Sequence, residues 1–78
     1  MKKEIIKVQC PIMTNDPDAP WLVYAKHHRN QEAISANEVP ERVKEAMRGD
    51  YKAYFEGKYD RLTGNWTIGA RVGDIQDF

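Results

Sequence analysis

Pro40-Glu41-Arg42-Val43-Lys44-Glu45-Ala46-Met47-Arg48-Gly49 is the stretch on which the fold turns. Proline suits the first helical position, where its missing N–H has no partner to lose, and Val43, Ala46 and Met47 fall on one apolar face. Gly49 supplies the left-handed residue that stops a helix. Glu38 and Glu41 lie at the amino end and Arg48 at the carboxyl end, which the helix dipole favours by roughly a few tenths of a kcal/mol each. Glu41 with Lys44, and Glu45 with Arg48, also meet at helical spacing. The stretch therefore predicts a single helix of about nine residues.

On either side of it the chain changes to the two-residue period of strands. After Asp50, the run Tyr51-Lys52-Ala53-Tyr54-Phe55-Glu56 alternates and is bounded by Gly57, giving a fourth strand. Asp60 to Asn65 reads as a turn in which Gly64 suits the positive φ of a bulged hairpin loop. Trp66 to Val72 is the fifth strand, with Trp66, Ile68 and Ala70 on one face and Gly69 leaving a gap on the other. The tail from Gly73 to Phe78 is either frayed or docked through Ile75 and Phe78.

Working back from the helix, Glu32, Ala33, Ile34 and Ser35 form a short third strand, and His28-Arg29-Asn30 forms the hairpin tip before it. Trp21 to Lys26 is the second strand, placing Trp21, Val23 and Ala25 on one side and Leu22, Tyr24 and Lys26 on the other. The preceding Thr14 to Pro20 carries turn formers and prolines and must be a loop. Glu4 to Cys10 is the first strand, with Ile6, Val8 and Cys10 facing one way and Ile5, Lys7 and Gln9 the other.

The order is strand, strand, strand, helix, strand, strand: an α+β fold with a mostly antiparallel five-stranded sheet and one helix packed across it. The expected core is Ile6, Val8, Val23, Ile34, Val43, Met47, Phe55, Trp66 and Ile68. So short a helix covers only part of such a sheet. The remaining face, with Leu22, Tyr24 and Tyr54, is expected to be an aromatic surface wider than a monomer needs.

The 78 residues make one domain, 1–78, and a chain of this length buries only about 60% of its unfolded surface. No interdomain cleft is available for an active site. A single cysteine, Cys10, excludes an internal disulfide framework and leaves oligomerisation as the remaining stabiliser, so a homodimer through the sheet stays open. The apolar residues behind Met1-Lys2-Lys3-Glu4 are interrupted by Lys7 and Gln9 and end at Pro11, so neither a signal peptide nor a membrane span is expected. A lone thiol without an export signal fits a reducing cytoplasm.

Catalytic and metal chemistry find little to use. His27 and His28 are adjacent, and neighbours on a strand point to opposite faces, so they do not grip one metal together. Cys10 is followed directly by Pro11, with no glycine-rich oxyanion loop, and reads as a structural thiol rather than a nucleophile. Asp16 and Asp18 flank Pro17 in a turn, where carboxylates cap backbone amides more often than they act as acid and base. The glycines form neither a dinucleotide fingerprint nor a P-loop. A non-enzymatic protein without a cofactor or metal is the expectation.

Binding surfaces offer more. Tyr24, Tyr51, Tyr54, Tyr59 and Trp66 are many for so short a chain, and such residues are enriched where proteins meet. If the second and fourth strands lie close, Tyr24 and Tyr54 form a patch rimmed by Lys26, Lys52 and Glu56. The alternative is nucleic-acid binding through Lys26, His28 and Arg29, beside Tyr24 and Trp21, since basic groups neutralise phosphates and aromatics stack on unpaired bases. Against it, 12 basic and 12 acidic side chains leave the chain neutral, without a basic stripe.

The segments Lys7-Val8-Gln9-Cys10-Pro11, Asp18-Ala19-Pro20-Trp21-Leu22-Val23-Tyr24, Lys52-Ala53-Tyr54-Phe55-Glu56-Gly57 and Trp66-x-Ile68-Gly69-x-Arg71-Val72 carry a resemblance. Together they resemble small proteins borne by bacterial phages, plasmids and integrated elements, the class that includes anti-CRISPR inhibitors. The likeness is one of general pattern and size over most of the chain, with no defining motif and no family residue to carry over. It implies a stoichiometric inhibitor in the host cytoplasm that occludes a surface of a bacterial nucleoprotein defence complex and needs no active site. DNA-mimicking inhibitors are strongly acidic and this chain is not. Shape and mixed charge are the expected mode of contact, with Asp74 and Asp77 engaging basic grooves.

Overall fold

A computed structural model describes residues 4–12, 14–26, 30–76 and 78. Its elements follow one another as β1 (Glu4–Gln9), β2 (Trp21–Ala25), β3 (Asn30–Ile34), a 3-10 turn (Ala36–Glu38), α1 (Glu41–Ala46), β4 (Lys52–Asp60) and β5 (Asn65–Val72). The strands form one five-stranded sheet in the order β3-β2-β1-β4-β5, and every neighbouring pair is antiparallel. The expected α+β class and element order are what the structure has.

Alternation in the strands decides which side chains meet. Ile6 pairs with Ala25 on one flank and Phe55 on the other, and Val8 pairs with Val23 and Ala53. All six point to the side that α1 covers, where Val39, Val43, Met47 and Ile68 complete the buried core. Full burial of an Ile, Val or Phe side chain stabilises by about 1.5–3 kcal/mol, so this cluster is the main source of stability. Ile34 and Trp66, expected in the core, are half-buried and pack against it with Trp21. No described buried side-chain nitrogen or oxygen lacks a hydrogen-bond partner, and the buried cluster is made of hydrophobic side chains.

Several boundaries differ from the sequence reading. The helix is six residues long and Pro40 caps it from outside, its ψ of 143° being extended rather than helical. The chain leaves the helix through Met47 and turns at Gly49, whose φ of 88° is the left-handed stop expected there. β3 begins earlier, at Asn30, and ends at Ile34. β4 does not end at Gly57 but runs through it to Asp60. A Cβ at Gly57 would lie 2.8 and 2.9 Å from Cδ1 and Cγ2 of Ile6, so this glycine makes room for the core rather than ending a strand.

β5 carries an irregularity that matters for the helix. Gly57 pairs with Ile68 but Phe55 pairs with Arg71, so β5 has one residue more than β4 over this interval and bulges at Gly69 and Ala70. Arg42 of α1 donates to the carbonyls of Ile68 and, at 2.9 Å, of Gly69. In the reverse direction Arg71 of β5 donates to the Ala46 carbonyl at the end of α1 and, at 3.0 Å, to Asp50 Oδ2. These reciprocal arginines fasten a helix too short to be stable alone.

Candidate protein-binding face

The side of the sheet away from α1 is built from the other half of each strand's alternation. Lys7 on β1 lies opposite Tyr24 on β2 and Tyr54 on β4, while Gln31 and Val72 flank these tyrosines on β3 and β5. A second row runs Ala33, Leu22, Gln9, Lys52. Tyr24 and Tyr54 are thus brought to one face with a single strand between them, as the binding-patch reading requires. The central side chain of the patch is Lys7, whose Nζ stands 5.5 Å from the centre of the Tyr24 ring, within cation–π range.

Strands two apart are separated by about 9.5 Å, too far for two tyrosine rings standing upright to stack. Phe78 fills that interval. Its ring centre lies 5.7 Å from that of Tyr24 at 77°, edge-on, and 5.3 Å from that of Tyr54 at 56°. Both are favourable aromatic geometries, worth about 0.5–1.5 kcal/mol each beyond the area buried. The tail is therefore docked through Phe78, and the aromatic surface is not open as expected: Tyr54 is only 8% exposed, and Tyr24 and Leu22 are half-buried. A concavity beside the docked segment is lined by Lys52, Tyr54, Arg71, Asp74 and Ile75. Lys52 is exposed there, its Nζ 5.6 Å from the Tyr51 ring centre.

The other singled-out residues are dispersed. Asp74 is exposed just beyond β5, and Asp77 lies outside the described residues. Lys26 is exposed at the end of β2, whereas His27, His28 and Arg29 lie outside the described residues. Glu56 pairs with Ile5 on the helix-free face, next to the Lys7 row. Asp16 works locally: its Oδ1 accepts the Asp18 N–H at 2.9 Å and its carbonyl accepts the Ala19 N–H at 3.2 Å. Cys10 is half-buried; its N–H donates to the Tyr51 carbonyl at 2.9 Å and its thiol faces the Asp50 carbonyl at 3.7 Å, contacts that tie β1 to the chain leaving α1. Among the described residues no group of three histidine, cysteine or carboxylate side chains is placed to hold a metal ion. No helix among them is long and apolar enough to cross a membrane.

Sequence reasoning named Tyr24, Tyr54, Leu22 and Lys52 but not Lys7, the side chain between the tyrosines. The available signal was the alternation of β1, which sets Lys7 opposite Ile6 and Val8; what was missing was the position of β1 between β2 and β4. Comparison with known protein families, curated proteins and solved structures gives no match to this chain.

Proposed function

We propose that this domain is a non-enzymatic protein-binding module that uses its helix-free sheet face, and that it acts as a stoichiometric inhibitor of a bacterial nucleoprotein defence complex. The observation that carries the binding reading is the row Tyr24–Lys7–Tyr54, which sets a cation between two aromatic side chains on the face without a helix. Tyrosine is among the residues that carry most of the energy of protein interfaces. Leu22 and Lys52 extend the row on the same face. The inhibitory role rests on the resemblance to proteins of mobile elements and acts by occlusion, without turnover, in the host cytoplasm.

The test is capture by the tagged chain from bacterial lysate containing an active defence complex, with and without nuclease. A protein complex retained after nuclease treatment by the wild-type chain and lost by Tyr24→Ala supports the proposal. Truncation of an anchoring tyrosine costs about 2 kcal/mol or more, so retention should fall roughly 30-fold. Retention indifferent to Tyr24→Ala rejects this face. Retention that needs intact nucleic acid and is lost on replacing Lys26 and Arg29 moves the site to the basic hairpin instead.

A further inference from the structure

The helix-free face already holds a ligand of a definite kind, supplied by the chain itself. Gly73-Asp74-Ile75-Gln76-Asp77-Phe78 is an acidic segment with one aromatic side chain. Its Phe78 ring rests on both Tyr24 and Tyr54. The charged residues that β1 and β4 turn to this face are Lys7, Lys52 and Lys58 against Glu56 and Asp60, an excess of one positive charge, with Lys7 standing between the two tyrosines. Asp74 and Ile75 line one concavity together with Lys52 and with Arg71, whose guanidinium is paired with Asp50 at 3.0 Å, while the Phe78 ring sits between the tyrosines. Neither Tyr24 nor Tyr54 can offer its ring to a partner where Phe78 lies.

We propose that residues 73–78 are an intramolecular occupant of the binding face, and that the partner segment the face recognises is an acidic peptide stretch bearing an aromatic residue, which binds by displacing Phe78. This rests on the reading of the helix-free face as the binding surface and names the chemistry of what binds there. A tethered occupant competes at an effective concentration in the millimolar range, so it suppresses weak, unspecific aromatic contacts and yields only to a segment that binds better. The strap thereby works as a specificity filter and keeps the aromatic row covered until a partner arrives.

The probe is an acetylated peptide spanning residues 73–78, titrated to millimolar concentration against the full 78-residue chain and its Phe78→Ala variant, followed by the NMR resonances of the Tyr24 and Tyr54 rings. Phe78→Ala should bind the peptide at least ten-fold more tightly than the wild type. The same peptide with alanine in place of Phe78 should not bind, and one with asparagine at positions 74 and 77 should bind more weakly. Equal binding by the two chains, or none by Phe78→Ala, overturns the proposal. If Phe78→Ala does not fold, Phe78→Leu, which keeps an apolar side chain but removes the ring, is read in the same way. Partner capture by Phe78→Ala should rise several-fold over wild type; a fall would make Phe78 a contact to the partner rather than an occupant and would also overturn it. Failure of the binding face itself is seen separately, as capture that survives Tyr24→Ala while the peptide titration behaves as expected.

Discussion

Gly57 shows how one missing methyl group is built into the core. Ile6 is fully buried, and its side chain occupies the space that a Cβ on Gly57 would need. Gly57→Ala should therefore destabilise the domain by about 1–3 kcal/mol, the usual cost of overpacking, measured as a lower urea midpoint at unchanged slope. Ile6→Val removes one of the crowding carbons, so the double variant should lose less than the two single losses added together. The sequence shows a glycine after a strand-like run, and a strand end is the natural reading. Only Ile6, diagonally across on β1, reveals its purpose. Phe78 is the opposite case: an aromatic in a tail is legible as a docking residue, but its seat between Tyr24 and Tyr54 depends on the order of the strands.

The helix α1 was the most legible element and is also the most dependent on others. Its apolar face, its left-handed stop at Gly49 and the Glu41–Lys44 ion pair at 3.6 Å all follow from spacing in the sequence. Its Glu41 is exposed and its Lys44 half-buried, and an i,i+3 helix pair of this kind contributes only about 0.3–0.5 kcal/mol. What holds so short a helix in place is the exchange of guanidinium hydrogen bonds with β5. The bulge at Gly69 and Ala70 turns strand carbonyls toward Arg42, and Arg71 answers from the strand to the last helical carbonyl. Hydrogen bonds from a charged donor are worth about 1.5–3 kcal/mol, so Arg71→Ala should lower stability by that order. It should also raise hydrogen exchange at the helical amides of Val43 to Met47 more than at those of β1. Equal loosening of both elements would show that Arg71 serves the whole fold rather than the helix. Neither arginine is distinguishable by type or spacing from the other surface cations of the chain, which is why this clamp was not legible beforehand. Phe78 makes a second such fastening on the opposite side of the sheet, through aromatic contact rather than charge.

For the molecule as a whole, 12 basic and 12 acidic side chains balance, so the chain carries no net excess of cations with which to neutralise phosphates. A binder that neutralises six to ten phosphates loses about 10³–10⁵ in affinity between 50 and 200 mM salt. Partner retention by this chain should instead change less than roughly ten-fold over that range, because aromatic burial is not screened. A phosphate-like dependence would count against the sheet face. Fold class and the composition of the two sheet faces were legible because alternation is local, whereas strand order is not local. Ala53, Tyr54 and Phe55 are buried in succession because β4 lies inside the sheet with both of its faces covered at this point, a position the alternating reading of the run did not convey. That order also has a consequence in time. β1 is made first yet sits in the middle, and its second neighbour, β4, is synthesised only after β2, β3 and α1. Until then one long side of β1 has no strand to pair with, and closing it requires a contact between distant parts of the chain, the slowest kind to form. The interval before β4 arrives is when this protein is most exposed to joining its unpaired strand to another copy of itself.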